Sequence, residues 1–236
     1  MPKLPDQIAA CLFDLDGVIT QTAKVHAAAW KEMFDAFLEE RAKAEGTEYV
    51  PFDSHADYDR YVDGRQRADG VRTFLDARDI EADDALVKDL GDRKNELVLE
   101  LIRTDGVEVY ESTIRFVEQA RDAGLRTAVV SSSANTQDVL RVTGTEELFE
   151  VRIDGVVAAE RGLPGKPAPD TFLAAAEELG VEPSKAAVFE DALAGVEAGR
   201  AGDFGLVVGV NRTGQAEALA EHGADVVVDD LEELLD

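Results

Sequence analysis

The stretch CLFDLDGVIT, Cys11 to Thr20, decides the fold of this chain. Its apolar first half is followed directly by two aspartates, Asp14 and Asp16, with Gly17 behind the second. A short apolar run bounded by a turn signal predicts a buried strand, here from Ile8 to Asp14. Two carboxylates at the end of such a strand are costly unless they are paired or carry out chemistry.

The pattern outside this stretch changes along the chain. Residues 21–105 show helical periodicity and no convincing strand, with an aromatic stripe at Trp30 and Phe34 that we expect to pack a core. Beyond them, helical patterns alternate with the apolar runs RTAVVSSS, AAVFED, GLVVGV and ADVVV, and VRIDGVVAA is expected to be extended. The alternation predicts an α/β fold: a doubly wound parallel sheet, residues 1–20 and 106–236, with an inserted all-helical cap, residues 21–105.

Composition narrows the classes of function. The chain has 236 residues, of which 45% are hydrophobic, and a formal net charge of -26. Such a charge repels nucleic acid and anionic membrane surfaces, so we expect neither as a partner. We expect a cytoplasmic protein, because there is no run of membrane-spanning length, no signal-peptide pattern and only one cysteine, Cys11. We also expect a monomer.

Polar side chains gather at the predicted carboxyl ends of three strands, the edge where parallel sheets bind ligands. They are Asp14 and Asp16, Ser131 and Ser132, and Glu190 and Asp191, with Lys166 arriving from a loop. Carboxylates placed together repel and raise one another's pKa values. A divalent cation removes that repulsion, and hard oxygen ligands suit Mg²⁺. Together with Lys166, Mg²⁺ would neutralise a phosphoryl group.

This set of residues predicts phosphoryl transfer. A carboxylate can attack phosphorus and form an aspartyl-phosphate. A second carboxylate two residues on, across a turn that contains glycine, is placed to give or take the proton of the leaving or attacking oxygen. One aspartate of the pair is therefore expected to be a nucleophile and the other its acid/base partner.

Four motifs, DLDGVIT, VVSSS, GKPAPD and FEDALAGVEAG, resemble in order and position those of the haloacid dehalogenase superfamily. The resemblance implies a Rossmann-like core. It also implies a role for each matched residue. Asp14 is the implied nucleophile and Asp16 the acid/base, Ser131 and Lys166 hold phosphate, and Glu190 and Asp191 complete the Mg²⁺ site with Asp14 and the Asp16 carbonyl. Dehalogenases of the superfamily lack the second aspartate, so Asp16 favours phosphoryl transfer.

The segments DLDGVITQTAKVHAAAWK, DGRQRADGV, RKNE and KPAPD resemble the beta-phosphoglucomutase subfamily more closely. This resemblance implies that the substrate is a small phosphosugar. The implied substrate-binding residues are His26, which holds the acid/base residue in place, Arg67, which grips the far phosphate, Lys94, which faces the sugar, and Ser132, Ser133 and Asn135.

The chain also departs from the subfamily pattern. Ala134 replaces a lysine expected beside the far phosphate, Gln21 replaces an acidic residue, and residues 43–63 form a longer segment. The sequence does not decide between a mutase and a phosphatase that releases phosphate from a similar small ester. Nor does it decide between Arg65 and Arg67 for the phosphate grip.

Overall fold

The computed structural model describes residues 2–235. Its contacts divide the chain into two units. The first contains the residues up to Gln21 together with those from Val107 onward, and the second is Thr22–Gly106. That the second unit serves as a cap stays a prediction.

Within the described residues of the first unit, the strands form one parallel sheet. They are β1 Ala10–Phe13, β2 Arg126–Val130, β3 Val151–Ile153, β4 Ala186–Glu190, β5 Leu206–Val210 and β6 Val226–Val228. Their order is β3-β2-β1-β4-β5-β6, and every neighbouring pair is parallel. The predicted doubly wound α/β sheet is confirmed. Its strand order reverses between β1 and β4, which is where such sheets open a crevice for ligands.

Helices flank the sheet of the first unit and form most of the second. They are α1 Ala23–Glu45, α2 Arg67–Ala77, α3 Asp84–Asp105, α4 Glu111–Asp122, α5 Thr136–Thr143, α6 Gly155–Arg161, α7 Asp170–Leu179, α8 Leu193–Ala201 and α9 Ala216–Glu221. A π-helical turn covers Tyr58–Val62, and 3₁₀ turns cover Glu146–Leu148, Pro183–Lys185 and Leu231–Leu234. None of the helices within residues 2–235 is long and apolar enough to cross a membrane.

The strands are apolar because both faces of the sheet are covered. All four residues of β1 are fully buried. Phe13 stacks on Phe189 of β4 with 4.6 Å between ring centroids, and Phe116 of α4 packs edge-on against both. This packing fixes the carboxyl ends of β1 and β4 side by side.

The second unit packs around aromatic side chains. Trp30 and Phe34 of α1 stack with 5.2 Å between centroids, and Phe34 also contacts Phe52 and Phe74. All four side chains are buried, so the expected core role of the stripe is confirmed. The described part of this unit contains no strand, as predicted.

The sequence VRIDGVVAA, residues 151–159, was wrongly expected to be extended throughout. β3 ends at Ile153, and α6 begins at Gly155. Asp154 is the cause, because its buried carboxylate accepts hydrogen bonds from the N–H groups of Val156 and Val157 at 3.0 and 2.9 Å. An aspartate N-cap therefore outweighs the preference of paired valines for a strand.

We expect Asp154→Ala to lower the free energy of unfolding by about 1–2 kcal/mol, since two N–H donors of α6 lose their acceptor. Urea unfolding followed by circular dichroism measures the change. Asp138→Ala is the matched control, because this first-turn aspartate of α5 is exposed and pairs only loosely with Arg141, at 3.6 Å. Equal losses in the two variants would contradict the capping role.

Candidate active site

The carboxyl end of β1 delivers Asp14 into the first unit's interior. The Asp14 N–H donates to the carbonyl of Phe189 at 2.9 Å, and this bond extends the β1–β4 pairing by one residue. The chain then reverses in a turn whose N–H groups at Ile19 and Thr20 both donate to the carbonyl of Leu15 at 2.9 Å. Asp14 is therefore buried, whereas Asp16 lies on the turn and is partly exposed.

Lys166 contacts the end of this strand from the loop before α7. Its ammonium group donates to the Asp14 carboxylate and, at 3.1 Å, to the carbonyl of Val130 at the end of β2. The same ammonium lies 2.6 Å from Oε1 of Glu190. Its side chain is 1% exposed, so the contacts are shielded from solvent. The lysine thus links the ends of three neighbouring strands.

The electrostatics of this cluster are unbalanced. Burial raises the pKa of Asp14 well above its ordinary value, the Lys166 charge lowers it, and the carboxylates of Glu190 and Asp16 raise it again. Burial alone would lower the pKa of Lys166, but Asp14 and Glu190 outweigh burial and hold it above its ordinary value. Lys166 is therefore charged, and the carboxylates around it exceed the positive charge available.

A metal ion fits this excess of negative charge. Asp14, Glu190 and Asp191 are all buried, and each offers a carboxylate oxygen within 4.8 Å of the others. Three carboxylates are a donor set suited to Mg²⁺, which prefers oxygen ligands. The carboxylate of Asp16 is not a member of this cluster among the described residues. The sequence predicted Asp16 as a metal ligand through its backbone carbonyl, and that part stays a prediction.

Two glycines leave the room that these carboxylates occupy. A Cβ at Gly17 would lie 1.7 Å from Oδ2 of Asp191, and the φ of Gly17 is +89°, which favours glycine. A Cβ at Gly195 would lie 1.8 Å from Oε1 of Glu190. Gly195 lies inside α8, where glycine costs about 1 kcal/mol relative to alanine. That unfavourable choice is a sequence signal for a close approach, which helical periodicity alone does not reveal.

The loop after β2 carries the predicted serines. Oγ of Ser131 lies 3.5 Å from Oδ2 of Asp16 and accepts the N–H of Ser133 at 3.1 Å. Oγ of Ser133 accepts the N–H of Asn135 at 3.2 Å, directly before α5 begins at Thr136. N–H groups at the start of a helix favour anions, so the arrangement suits a phosphate group.

Gly155 keeps this loop in place. Its N–H donates to the carbonyl of Ser133 at 3.1 Å, and a Cβ there would lie 2.6 Å from the carbonyl oxygen of Ser132. The Ser131 N–H in turn donates to Ile153 at 3.0 Å. The start of α6 therefore supports the loop that holds Ser131 to Asn135.

The other predicted substrate residues belong to the second unit. Nδ1 of His26 on α1 lies 2.9 Å from Nζ of Lys94 on α3, and that Nζ lies 4.9 Å from the ring centroid of Trp30. Lys94 is 5% exposed, so it is shielded from solvent. Arg67, the first residue of α2, approaches Asp92 at 3.9 Å. The predicted roles of His26, Lys94 and Arg67 toward a substrate stay predictions.

The family comparison agrees with this geometry. A model described as "haloacid dehalogenase-like hydrolase" matches residues 8–203, a span that contains every carboxylate of the cluster and Lys166. The chain belongs to the haloacid dehalogenase-like hydrolase family. The resemblance inferred from the four motifs is thus confirmed.

Relatives within this haloacid dehalogenase-like family cover nearly the whole chain. A beta-phosphoglucomutase of Mycobacterium bovis is 56% identical across 98% of this chain and 93% of its own length. One of Bacillus subtilis is 33% identical across 93% and 88%. The crystal structure of beta-phosphoglucomutase from Clostridium difficile is 26% identical, covers 96% of this chain and 93% of its own, and has a TM-score of 0.77.

Proposed function

We propose that the chain is a Mg²⁺-dependent phosphomutase that moves phosphate between two positions of a small phosphosugar through an aspartyl-phosphate. One observation carries the proposal: the 56% identity to a beta-phosphoglucomutase extends over both units of the chain. A phosphatase with the same first unit would not require that the second unit be similar as well. We further expect this enzyme to act as a monomer in the cytoplasm.

Asp14 is the proposed nucleophile. One of its carboxylate oxygens bonds to phosphorus while the bond from phosphorus to the leaving sugar oxygen breaks. Lys166, which contacts both Asp14 and Glu190, balances the charge that the phosphoryl group brings. A Mg²⁺ ion held by Asp14, Glu190 and Asp191 would act as a Lewis acid on the phosphoryl oxygens.

Asp16 is the proposed acid/base. When phosphate moves to Asp14, Asp16 gives a proton to the sugar oxygen that leaves. When phosphate moves from Asp14 to a sugar hydroxyl, Asp16 takes the proton of that hydroxyl. Oγ of Ser131 lies 3.5 Å from the carboxylate of Asp16, and this hydroxyl would bind the phosphate. Two proton transfers in opposite directions return Asp16 to its starting state, so one turnover moves phosphate without consuming water.

Residues outside this centre are proposed to hold the second phosphate and the sugar. Arg67 would bind the far phosphate, with support from Ser132, Ser133 and Asn135. Lys94 would contact the sugar. His26 would contact the acid/base residue. Ala134 stands where the subfamily has a lysine. The grip on the far phosphate would therefore be weaker than in that subfamily.

A product assay tests the proposed function. We expect the enzyme, given beta-glucose 1-phosphate, a trace of the 1,6-bisphosphate and Mg²⁺, to form glucose 6-phosphate without releasing phosphate, and to stop when EDTA removes the metal. Coupled detection of glucose 6-phosphate and inorganic phosphate in one sample measures both. Phosphate release without glucose 6-phosphate would show that the enzyme is a phosphatase and not a mutase. The absence of both products would exclude beta-glucose 1-phosphate as the substrate.

A further inference from the structure

Arg212 lies in the loop between β5 and α9, outside the four motifs. Its guanidinium stacks on the ring of Tyr110 at 3.6 Å from the centroid, and its side chain is 12% exposed. Nη2 is buried and donates to no acceptor within residues 2–235. An unused buried donor costs free energy, and this cost offsets part of what the other contacts of Arg212 contribute to stability.

The contact that matters is with the turn that carries Asp16. Nε of Arg212 donates to the carbonyl of Gly17 at 2.8 Å. Tyr110, on which the guanidinium stacks, donates its own N–H to the carbonyl of Ile19 at 2.9 Å. The two residues therefore hold the turn at two carbonyls, and the first belongs to the residue directly after Asp16.

Arg212 is itself anchored from the far side. Nη1 donates to the carbonyl of Asp229 at 3.1 Å and lies 3.5 Å from the carboxylate of Asp230. That carboxylate accepts from Ser112 at 2.9 Å and from the N–H of Glu232 at 2.8 Å. The planar fork of an arginine can stack on a ring and donate in two directions at once, which a lysine cannot do.

We propose that Arg212 is a positioning residue that fixes the carboxylate of Asp16 for proton transfer by holding the Gly17 carbonyl. The proposal rests on the acid/base role given to Asp16 above. Gly17 has a φ that few residues adopt, and its own N–H donates to Thr20 at 2.7 Å, so the turn has little freedom once its carbonyl is held. Releasing the carbonyl lets the turn and Asp16 move relative to Asp14.

The test compares two phosphoryl donors in Arg212→Met, which keeps an unbranched side chain but removes every donor. A sugar phosphate needs a proton on its leaving oxygen, whereas acetyl phosphate releases acetate, which needs none. We expect kcat for the sugar phosphate to fall about 100-fold, the scale of a misplaced general acid. The first-turnover rate of Asp14 phosphorylation by acetyl phosphate should fall by less than about threefold, since no general acid contributes to it.

Controls separate this result from general damage. Arg115→Met removes an exposed arginine that pairs with Glu232 at 2.9 Å in the same unit, and both rates should stay at the wild-type level. Tyr110→Leu removes the surface on which the guanidinium stacks and should reproduce the selective loss more weakly. This second variant tests the proposal if Arg212→Met fails to fold.

Equal losses with both donors, or no loss with the sugar phosphate, would overturn the proposal. The comparison does not depend on the mutase assignment. If wild-type enzyme released phosphate instead of forming the isomer, the proposed function would fail, but the sugar ester would still need a proton on its leaving oxygen. The ratio of the two rates would then be measured on phosphate release.

Discussion

Asp14→Asn is expected to lower turnover of the sugar phosphate by roughly 10⁴-fold or more, because the amide cannot form the proposed aspartyl-phosphate. The substitution keeps the shape of the side chain at the end of β1. Lys166 keeps its contacts with Glu190 at 2.6 Å and with the Val130 carbonyl at 3.1 Å. The fold should therefore persist while the reaction stops.

We expect Asp14→Asn to keep or gain thermal stability although it loses turnover. Burial raises the pKa of Asp14, so its charge is held in the folded state at a cost. Removing the charge should leave the melting temperature of the metal-free protein unchanged or higher. Asp138→Asn, at an exposed position of the same unit, should change neither property.

Intact-protein mass spectrometry after incubation with acetyl phosphate supplies the decisive readout for Asp14. Wild-type protein should gain the mass of one phosphoryl group, and Asp14→Asn should gain none. A variant that is still phosphorylated, or keeps a large share of wild-type turnover, would show that another side chain is the nucleophile.

The sequence predicted that Asp14, Glu190 and Asp191 lie close together, because the determinants of that placement are local. Asp14 follows a continuous apolar run, and Glu190 and Asp191 follow another, so strand ends and polar residues coincide in the chain itself. The rule that parallel strands present their carboxyl ends at one edge then brings these residues together without any knowledge of distances.

Residues that act through tertiary packing could not be predicted in the same way. Lys94 and His26 are separated by 68 positions, and their 2.9 Å contact depends on how α1 packs against α3. Arg212 reaches Gly17 across 195 positions from a loop without any motif. No periodicity or spacing in the chain encodes these pairs, because each depends on two elements meeting.

The failure at residues 151–159 has a different origin. There the local signals conflict, since Val156 and Val157 favour a strand while Asp154 favours a helix start. The helix forms because the buried carboxylate of Asp154 accepts hydrogen bonds from two N–H groups that would otherwise lack an acceptor. Periodicity alone does not weigh such a competition.

Lys166→Met should have the second large effect, and on stability as well as on rate. Asp14, Glu190 and Asp191 would stay buried without the ammonium that now lies among them. Leaving buried charge uncompensated costs about 3–5 kcal/mol. Urea unfolding without added metal measures the loss, and Lys185→Met, at an exposed lysine just before β4, is the matched control.

Added Mg²⁺ should return part of that stability, more in Lys166→Met than in wild type. A cation that binds only the folded cluster stabilises it by mass action, and without Lys166 the carboxylates have a stronger need for it. Turnover should remain low with saturating Mg²⁺, because the metal does not replace the contact of the ammonium with Asp14, the proposed nucleophile. Full recovery of activity by Mg²⁺ would show that Lys166 serves only as charge compensation.

The pH dependence of the difference between wild type and Lys166→Met follows from the raised pKa of Asp14. A carboxyl whose pKa is higher in the folded state binds its proton there first, so folding gains stability as pH falls through that raised value. Without Lys166 the pKa of Asp14 loses its main lowering influence and rises further. The deficit of the variant should therefore shrink as the metal-free protein is taken from neutral to mildly acidic pH. A deficit that is constant with pH would assign the loss to packing around Phe172, which lies 5.0 Å from the ammonium, rather than to charge.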